Sequence, residues 1–178
     1  MDPFASPHNL DRQLQSLLEE ASCDLCDWLA ESGSQSPIPD SFDLPEVSPG
    51  KKGISNKVLL KELKLLMKGA FRPSHPGALA HLDPPPLSAS IVGELICAGL
   101  NNNLLAEELS PSLSSLERNL CKWFCEKLGL GNLSGGVAAS GGSLSNLMAL
   151  VMARNISGLE SDPNAIFLAS DDCHVSFS

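Results

Sequence analysis

Gly135-Gly136-Val137-Ala138-Ala139-Ser140-Gly141-Gly142-Ser143-Leu144-Ser145-Asn146-Leu147-Met148-Ala149-Leu150 is the stretch on which the fold turns. A short apolar run breaks at two glycines, and a serine then opens a long amphipathic segment. That order reads as strand, tight turn, helix. The spacing predicts a strand over 136–140 and a helix from Ser143 to about Asn155. Beyond a loop with Gly158, Asp162 and Pro163, Ala165-Ile166-Phe167-Leu168-Ala169 reads as a second buried strand. Strand, crossover helix and strand make a β-α-β unit, and the handedness rule puts its strands in one parallel sheet. The expected class is α/β. Two strands leave such a sheet incomplete, so its further strands are expected downstream of Ser178.

The turn also gathers amide N–H groups of a helix start at one place, where the helix dipole favours an anion. A phosphate is the natural guest. Glycines also end strands for purely structural reasons, so spacing alone leaves both readings open. No Lys-Ser/Thr follows the last glycine as in a Walker loop, and the G-x-G-x-x-G of a dinucleotide fold is missing.

Upstream the chain is helical. Asn9 or Asp11 caps a first helix that runs to about Leu29, with Leu10, Leu14, Leu17, Leu18, Ala21, Leu25 and Trp28 at helical spacing. Segment 32–50, rich in Ser, Pro, Gly and Asp, reads as an exposed linker. A second helix spans Asn56 to Lys68. Residues 71–88 carry His75-Pro76, His81 and Pro84-Pro85-Pro86, which forbid a helix interior and give a loop of fixed shape. A third helix runs from about Ser88 to Leu100, and Asn101-Asn102-Asn103 ends it. Ser110 as cap and Pro111 in the first turn start a fourth, which continues to about Leu128 and stops at Gly129 and Gly131. Three parts follow: a helical segment 1–70 with its linker, a loop-and-helix part 71–131, and the start of a larger domain at 132–178.

The 178 residues carry a net charge of −9, and no basic cluster exceeds Lys51-Lys52. That argues against nucleic acid or an anionic membrane as partner. No apolar run approaches the ~20 residues of a membrane span. Met1-Asp2-Pro3-Phe4 lacks the basic and apolar regions of a secretory signal, so a cytoplasmic location is expected. Of the six cysteines, Cys23 and Cys26 form a C-x-x-C inside a helical pattern, with no second pair to complete a zinc site. Reduced thiols packed as small apolar groups account for them, and no metal is expected.

Several polar residues have two readings. His174 lies at the carboxyl end of the second expected strand, the edge where ligands of open α/β sheets sit, but it also reads as a surface histidine in a polar tail. His75 and His81 are equally ambiguous, and the three asparagines are accounted for by a helix stop. Asp171 and Asp172, adjacent in an extended chain, point opposite ways and do not make a metal site.

Taken together, these pieces resemble the pyridoxal-phosphate-dependent group II decarboxylases of the glutamate, aromatic-L-amino-acid and diaminobutyrate type. Five segments carry the resemblance in the family's order: His75-Pro76; Asn101-Asn102-Asn103-Leu104-Leu105; Ser110-Pro111 with Leu116-Glu117-Arg118; Ser140-Gly141-Gly142-Ser143 with Asn146-Leu147, Ala149-Leu150 and Ala153-Arg154; and His174-Val175-Ser176. The resemblance implies the amino-terminal part of a type-I aminotransferase-like fold. It implies pyridoxal 5'-phosphate as cofactor, its phosphate held at Gly141, Gly142 and Ser143. His174 would be the catalytic residue that covers the cofactor ring. His81, Leu82 and Asn103 would take substrate-binding positions, for a small amino acid that loses its carboxylate. The full-length protein would be a homodimer, with the helix Leu10–Leu29 packed on the other subunit. The loop at His81-Leu82-Asp83-Pro84 departs from the aromatic residues of aromatic-amino-acid members, which tilts the expectation toward an acidic or aliphatic amino acid.

The resemblance does not cover everything. The lysine that forms a Schiff base with the cofactor, and the aspartate that pairs with its pyridine nitrogen, lie downstream in the family. No lysine in residues 51–127 has a matching context. Three readings stay open: an amino-terminal fragment of a decarboxylase, inactive alone; a carbon–carbon lyase of the same cofactor fold; and a non-catalytic helical interaction fragment.

Overall fold

A computed structural model describes residues 4–45, 48, 50–79 and 84–177. The chain divides into two compact units, 1–99 and 100–178.

In the first unit, helix α1 spans Arg12–Ala30 and helix α2 spans Asn56–Lys68. Asp11 rather than Asn9 caps α1: its Oδ1 accepts from the N–H groups of Gln13 and Leu14, both at 3.0 Å. The bond from Leu14, then those from Ser6 and Gln13, hold its carboxyl below the usual aspartate range. α1 closes in a single 3₁₀ turn, Glu31–Gly33. α2 is capped by Ser55, whose Oγ accepts from Val58 N–H at 3.4 Å. It lies on α1, where Leu60 is buried and Lys64 Nζ reaches Asp24 Oδ1 at 2.8 Å.

The linker is not wholly exposed, which corrects the sequence expectation. Ser32 is 2% exposed, because Arg72 folds back over the end of α1. Arg72 Nη1 donates to Trp28 O at 2.7 Å and to Ser32 Oγ at 3.5 Å, and its guanidinium stands 4.8 Å above the Trp28 ring. Arg72 N–H donates to Pro37 O at 2.9 Å. Phe42 packs on Gly69 so closely that a Cβ there would stand 3.0 Å from its side chain. Helix α3, Ser88–Leu100, packs on neither α1 nor α2 and leaves Val92, Leu95 and Ile96 exposed.

In the second unit, Asn101 at φ 44° takes the left-handed turn that suits asparagine. A 3₁₀ turn, Glu107–Leu109, leads into helix α4, Pro111–Lys127. Arg118 grips Glu107 with two bonds, at 2.7 and 3.3 Å, and so holds that carboxyl below its usual range. Ser110 stands at the N-cap but does not cap: its hydroxyl is fully buried, with no partner among the described residues. Gly129 at φ 70° turns the chain out of α4. Helix α5 is Gly142–Ile156, and a last 3₁₀ turn covers Val175–Phe177.

Neither 136–140 nor 165–169 forms a strand. Among the described residues there is no β-ladder, so the expected parallel sheet is not seen. A parallel strand is stabilised by neighbours on its edges and by cover on both faces. Here Val137, Ile166 and Leu168 are 60%, 79% and 83% exposed. Both stretches are irregular and are tied by side chains instead, Ala138 by Glu117 and Phe167 by Phe177. Among the described hydrophobic residues only Leu60 and Cys125 are buried, so polar links carry much of the local order. No described helix is long and apolar enough to cross a membrane.

Candidate functional site

The α5 start is built by residues that lack side chains. Gly141 is its N-cap, in extended backbone (φ 170°, ψ 168°), and makes no side-chain cap bond. Ser143, expected to open the helix, is its second residue. Ser145 N–H donates to Gly141 O at 3.0 Å and is the first amide taken up by the helix. The N–H groups of Gly142, Ser143 and Leu144 precede it and find no acceptor among the described residues. A Cβ added at Gly141 or Gly142 would meet nothing within 4 Å, so the backbone there can be approached closely. No acidic residue stands in the first turn, and Arg154 sits in the last. The open amides, the bare glycine backbone and the lack of an acidic neighbour favour an anion at the amino end of α5, while Arg154 complements the opposite end.

His174 is tied to the same helix. Asn146 Nδ2, on the second turn of α5, donates to Ser176 Oγ at 2.8 Å, and that oxygen lies 2.8 Å from His174 Nδ1. Ser176 N–H also donates to Nδ1, at 3.1 Å. Nδ1 is therefore an acceptor, and the neutral ring carries its proton on Nε2. The turn is braced from behind by Phe177, whose ring stacks on Phe167 with centroids 5.9 Å apart. Cys173 N–H donates to Ser170 O at 3.0 Å and closes the preceding turn.

Gly141, Gly142, Ser143 and His174 are thus linked through α5 and the Asn146–Ser176 bond. Asn103 is in the same unit, but its Oδ1 is spent locally, accepting from Leu105 N–H at 3.0 Å. His81 and Leu82 lie outside the described residues. The sequence reading gives no role to Asn146, Ser176 or Glu117. The first two were visible only as neighbours of Ser143 and His174 in the motifs. The bond between them spans thirty positions, which no local pattern encodes.

An apolar groove of about 440 Å³ runs between α5 and the stretch 165–167, lined by Leu147, Val151, Leu159, Ile166 and Phe167. It has no charged group except Arg154 and does not reach Ser143 or His174. Among the described residues no group of histidine, cysteine and carboxylate side chains could hold a metal.

No family model matches the chain. L-2,4-diaminobutyrate decarboxylase of Acinetobacter baumannii is 32% identical over 108 residues, 60% of this chain and 21% of that protein. A glutamate decarboxylase-like protein of Gibberella zeae is 30% identical over 135 residues, 71% of this chain and 26% of its own length. Among solved structures, the glutamate decarboxylase domain of a Vibrio parahaemolyticus diaminobutyrate-pyruvate transaminase and L-2,4-diaminobutyrate decarboxylase superposes on 89% of this chain with a TM-score of 0.75, at 23% identity. The match covers 36% of that chain. The chain is therefore similar to group II amino-acid decarboxylases in sequence and shares their fold over most of its residues. It spans about a quarter of the length of the curated relatives it matches.

Proposed function

We propose that this chain forms the amino-terminal part of a pyridoxal-phosphate-dependent amino-acid decarboxylase, a carboxy-lyase, and supplies the phosphate-holding side of its cofactor site. The observation that carries the reading is the row of open amides at the α5 start, free of acidic neighbours and linked to a histidine, in a chain similar to such decarboxylases.

The donor set fits a phosphate dianion. The N–H groups of Gly142, Ser143 and Leu144 and the Ser143 hydroxyl bind its oxygens, and the bare Gly141-Gly142 backbone lets them approach. When bound, pyridoxal phosphate supplies a sink for the electron pair left as carbon dioxide departs. His174 covers the cofactor ring. With Nδ1 engaged by Ser176, it offers its Nε2 proton to a substrate carboxylate. Asn103 meets that carboxylate across a dimer interface, and His81 and Leu82 line the substrate loop. The substrate is a small acidic or aliphatic amino acid.

The stretches 136–140 and 165–169 take up parallel pairing once further strands flank them, completing the aminotransferase-like sheet of a cofactor domain that begins near residue 132. The apolar stripe of α1, where Leu14 and Leu18 are exposed, packs together with Leu10 just ahead of it on a second copy of the protein, which works in the cytoplasm. The lysine that anchors the cofactor comes from a longer polypeptide, and the 178 residues alone are inactive.

Calorimetric titration tests the reading. The chain should bind pyridoxal phosphate more tightly than pyridoxal, and Ser143→Ala should weaken only the phosphate ester, by about tenfold for one charge-assisted bond. A polypeptide extended to carry the lysine should release carbon dioxide from amino acids. Equal binding of the ester and the free alcohol would refute the proposal.

A further inference from the structure

We infer that Glu117 is a positioning residue for the phosphate cradle, acting through the backbone of Ala138. The inference rests on the reading of the α5 start as a phosphate site.

Glu117, Cys121 and Cys125 recur every fourth residue of α4 and form one stripe along it. The chain from Gly135 to Ala138 lies along that stripe in the opposite direction. Cys125 Sγ donates to Gly135 O at 3.5 Å. A Cβ at Gly136 would stand 3.4 Å from Cys121 Cβ and 3.5 Å from its Sγ. Glu117 Oε1 accepts from Ala138 N–H at 2.9 Å. Three separate contacts thus fix the register of the stretch on the helix.

The Glu117 bond is the last of them before the turn. Ala138 carries that bond, and Gly141 stands at the N-cap position of α5 three residues later. Where the sequence leads one to expect a sheet neighbour, a carboxylate takes the Ala138 amide. Arg118 leaves that carboxylate free for the backbone, because its own donors go to Glu107 and Ser115. A charge-assisted bond of this kind is stronger than a neutral one and is directional. It holds the approach to Gly141, and so sets where the three open amides point.

The test uses the whole 178-residue chain and two probes, pyridoxal phosphate and pyridoxal, with amide exchange followed residue by residue by NMR. Glu117→Ala should speed exchange at Ala138 by about tenfold and weaken pyridoxal phosphate binding by a similar factor, as expected for one charged bond. Pyridoxal affinity should not move. Glu117→Gln keeps an acceptor oxygen and should restore most of both effects. Gly136→Val, which presses a side chain against Cys121, should reproduce the Glu117→Ala pattern with the carboxylate in place. Failure of the wild-type chain to bind pyridoxal phosphate would sink the cofactor reading, and this inference with it. Wild-type binding that Glu117→Ala leaves unchanged, or a loss shared equally by both probes, would overturn the inference alone.

Discussion

Replacing Ser176 by alanine removes two hydrogen bonds at a single atom. Ser176 Oγ accepts from Asn146 Nδ2 and lies against His174 Nδ1, each at 2.8 Å. A neutral hydrogen bond contributes a net ~0.5–1.5 kcal/mol, and the site is half-buried, so water recovers part of the loss. Ser176→Ala should therefore cost about 1–2 kcal/mol of stability in the second unit. Asn146→Ala removes only one of the two bonds and should cost about 1 kcal/mol. The double variant loses nothing further, because the Asn146 bond has already gone with the serine. The cycle should return a coupling of about 1 kcal/mol, well above the ~0.3–0.5 kcal/mol scatter of independent sites. Urea unfolding followed by circular dichroism at 222 nm measures all four proteins. Strictly additive losses, or a Ser176→Ala chain as stable as wild type, would refute the three-residue link and with it the anchoring of His174 to α5.

Acid should loosen the start of α1. The folded-state value of Asp11 is depressed, chiefly by the Leu14 amide. Its contribution is present above the ordinary aspartate value and disappears as pH falls through the depressed one. Glu107, held low by Arg118, adds a loss of the same sign in the second unit. Helix signal should be flat at neutral pH and fall only below the usual carboxylate range; Asp11→Asn, which still caps, should flatten the α1 part of that fall. Arg72→Met should destabilise the first unit by about 2–3 kcal/mol, since it removes the charged bond to Trp28 O and the stacking on the indole, read as a shift in urea midpoint. Gly129→Ala should cost about 1–2 kcal/mol in the same assay, because φ 70° brings a Cβ against the following carbonyl.

The helices were legible because their signals are local. Apolar spacing sets the expected bounds Asn56, Lys68, Ser88 and Leu100, and α2 and α3 fall where the sequence puts them. Asn101 and Gly129 take the backbone that their residue types invite. The strands are not seen among the described residues, because strand formation is not local. The 136–140 and 165–169 runs have strand composition, but a ladder needs a neighbour, and Ala138 N–H goes to Glu117 instead. Ser110 has the composition of a cap, yet packing turned its hydroxyl inward. Ser32 looked like linker because nothing nearby in sequence announces Arg72, forty residues on. At the candidate site, the glycines and Ser143 could be picked out as a helix start. The link from Asn146 to Ser176 and His174 needed three dimensions.

The most direct measurement is a map of backbone amide shifts during titration with pyridoxal phosphate. The account predicts that the N–H signals of Gly142, Ser143 and Leu144 move together and saturate, while pyridoxal without its phosphate leaves them in place. Silent amides at these three positions, or shifts gathered on another face of the protein, would contradict it.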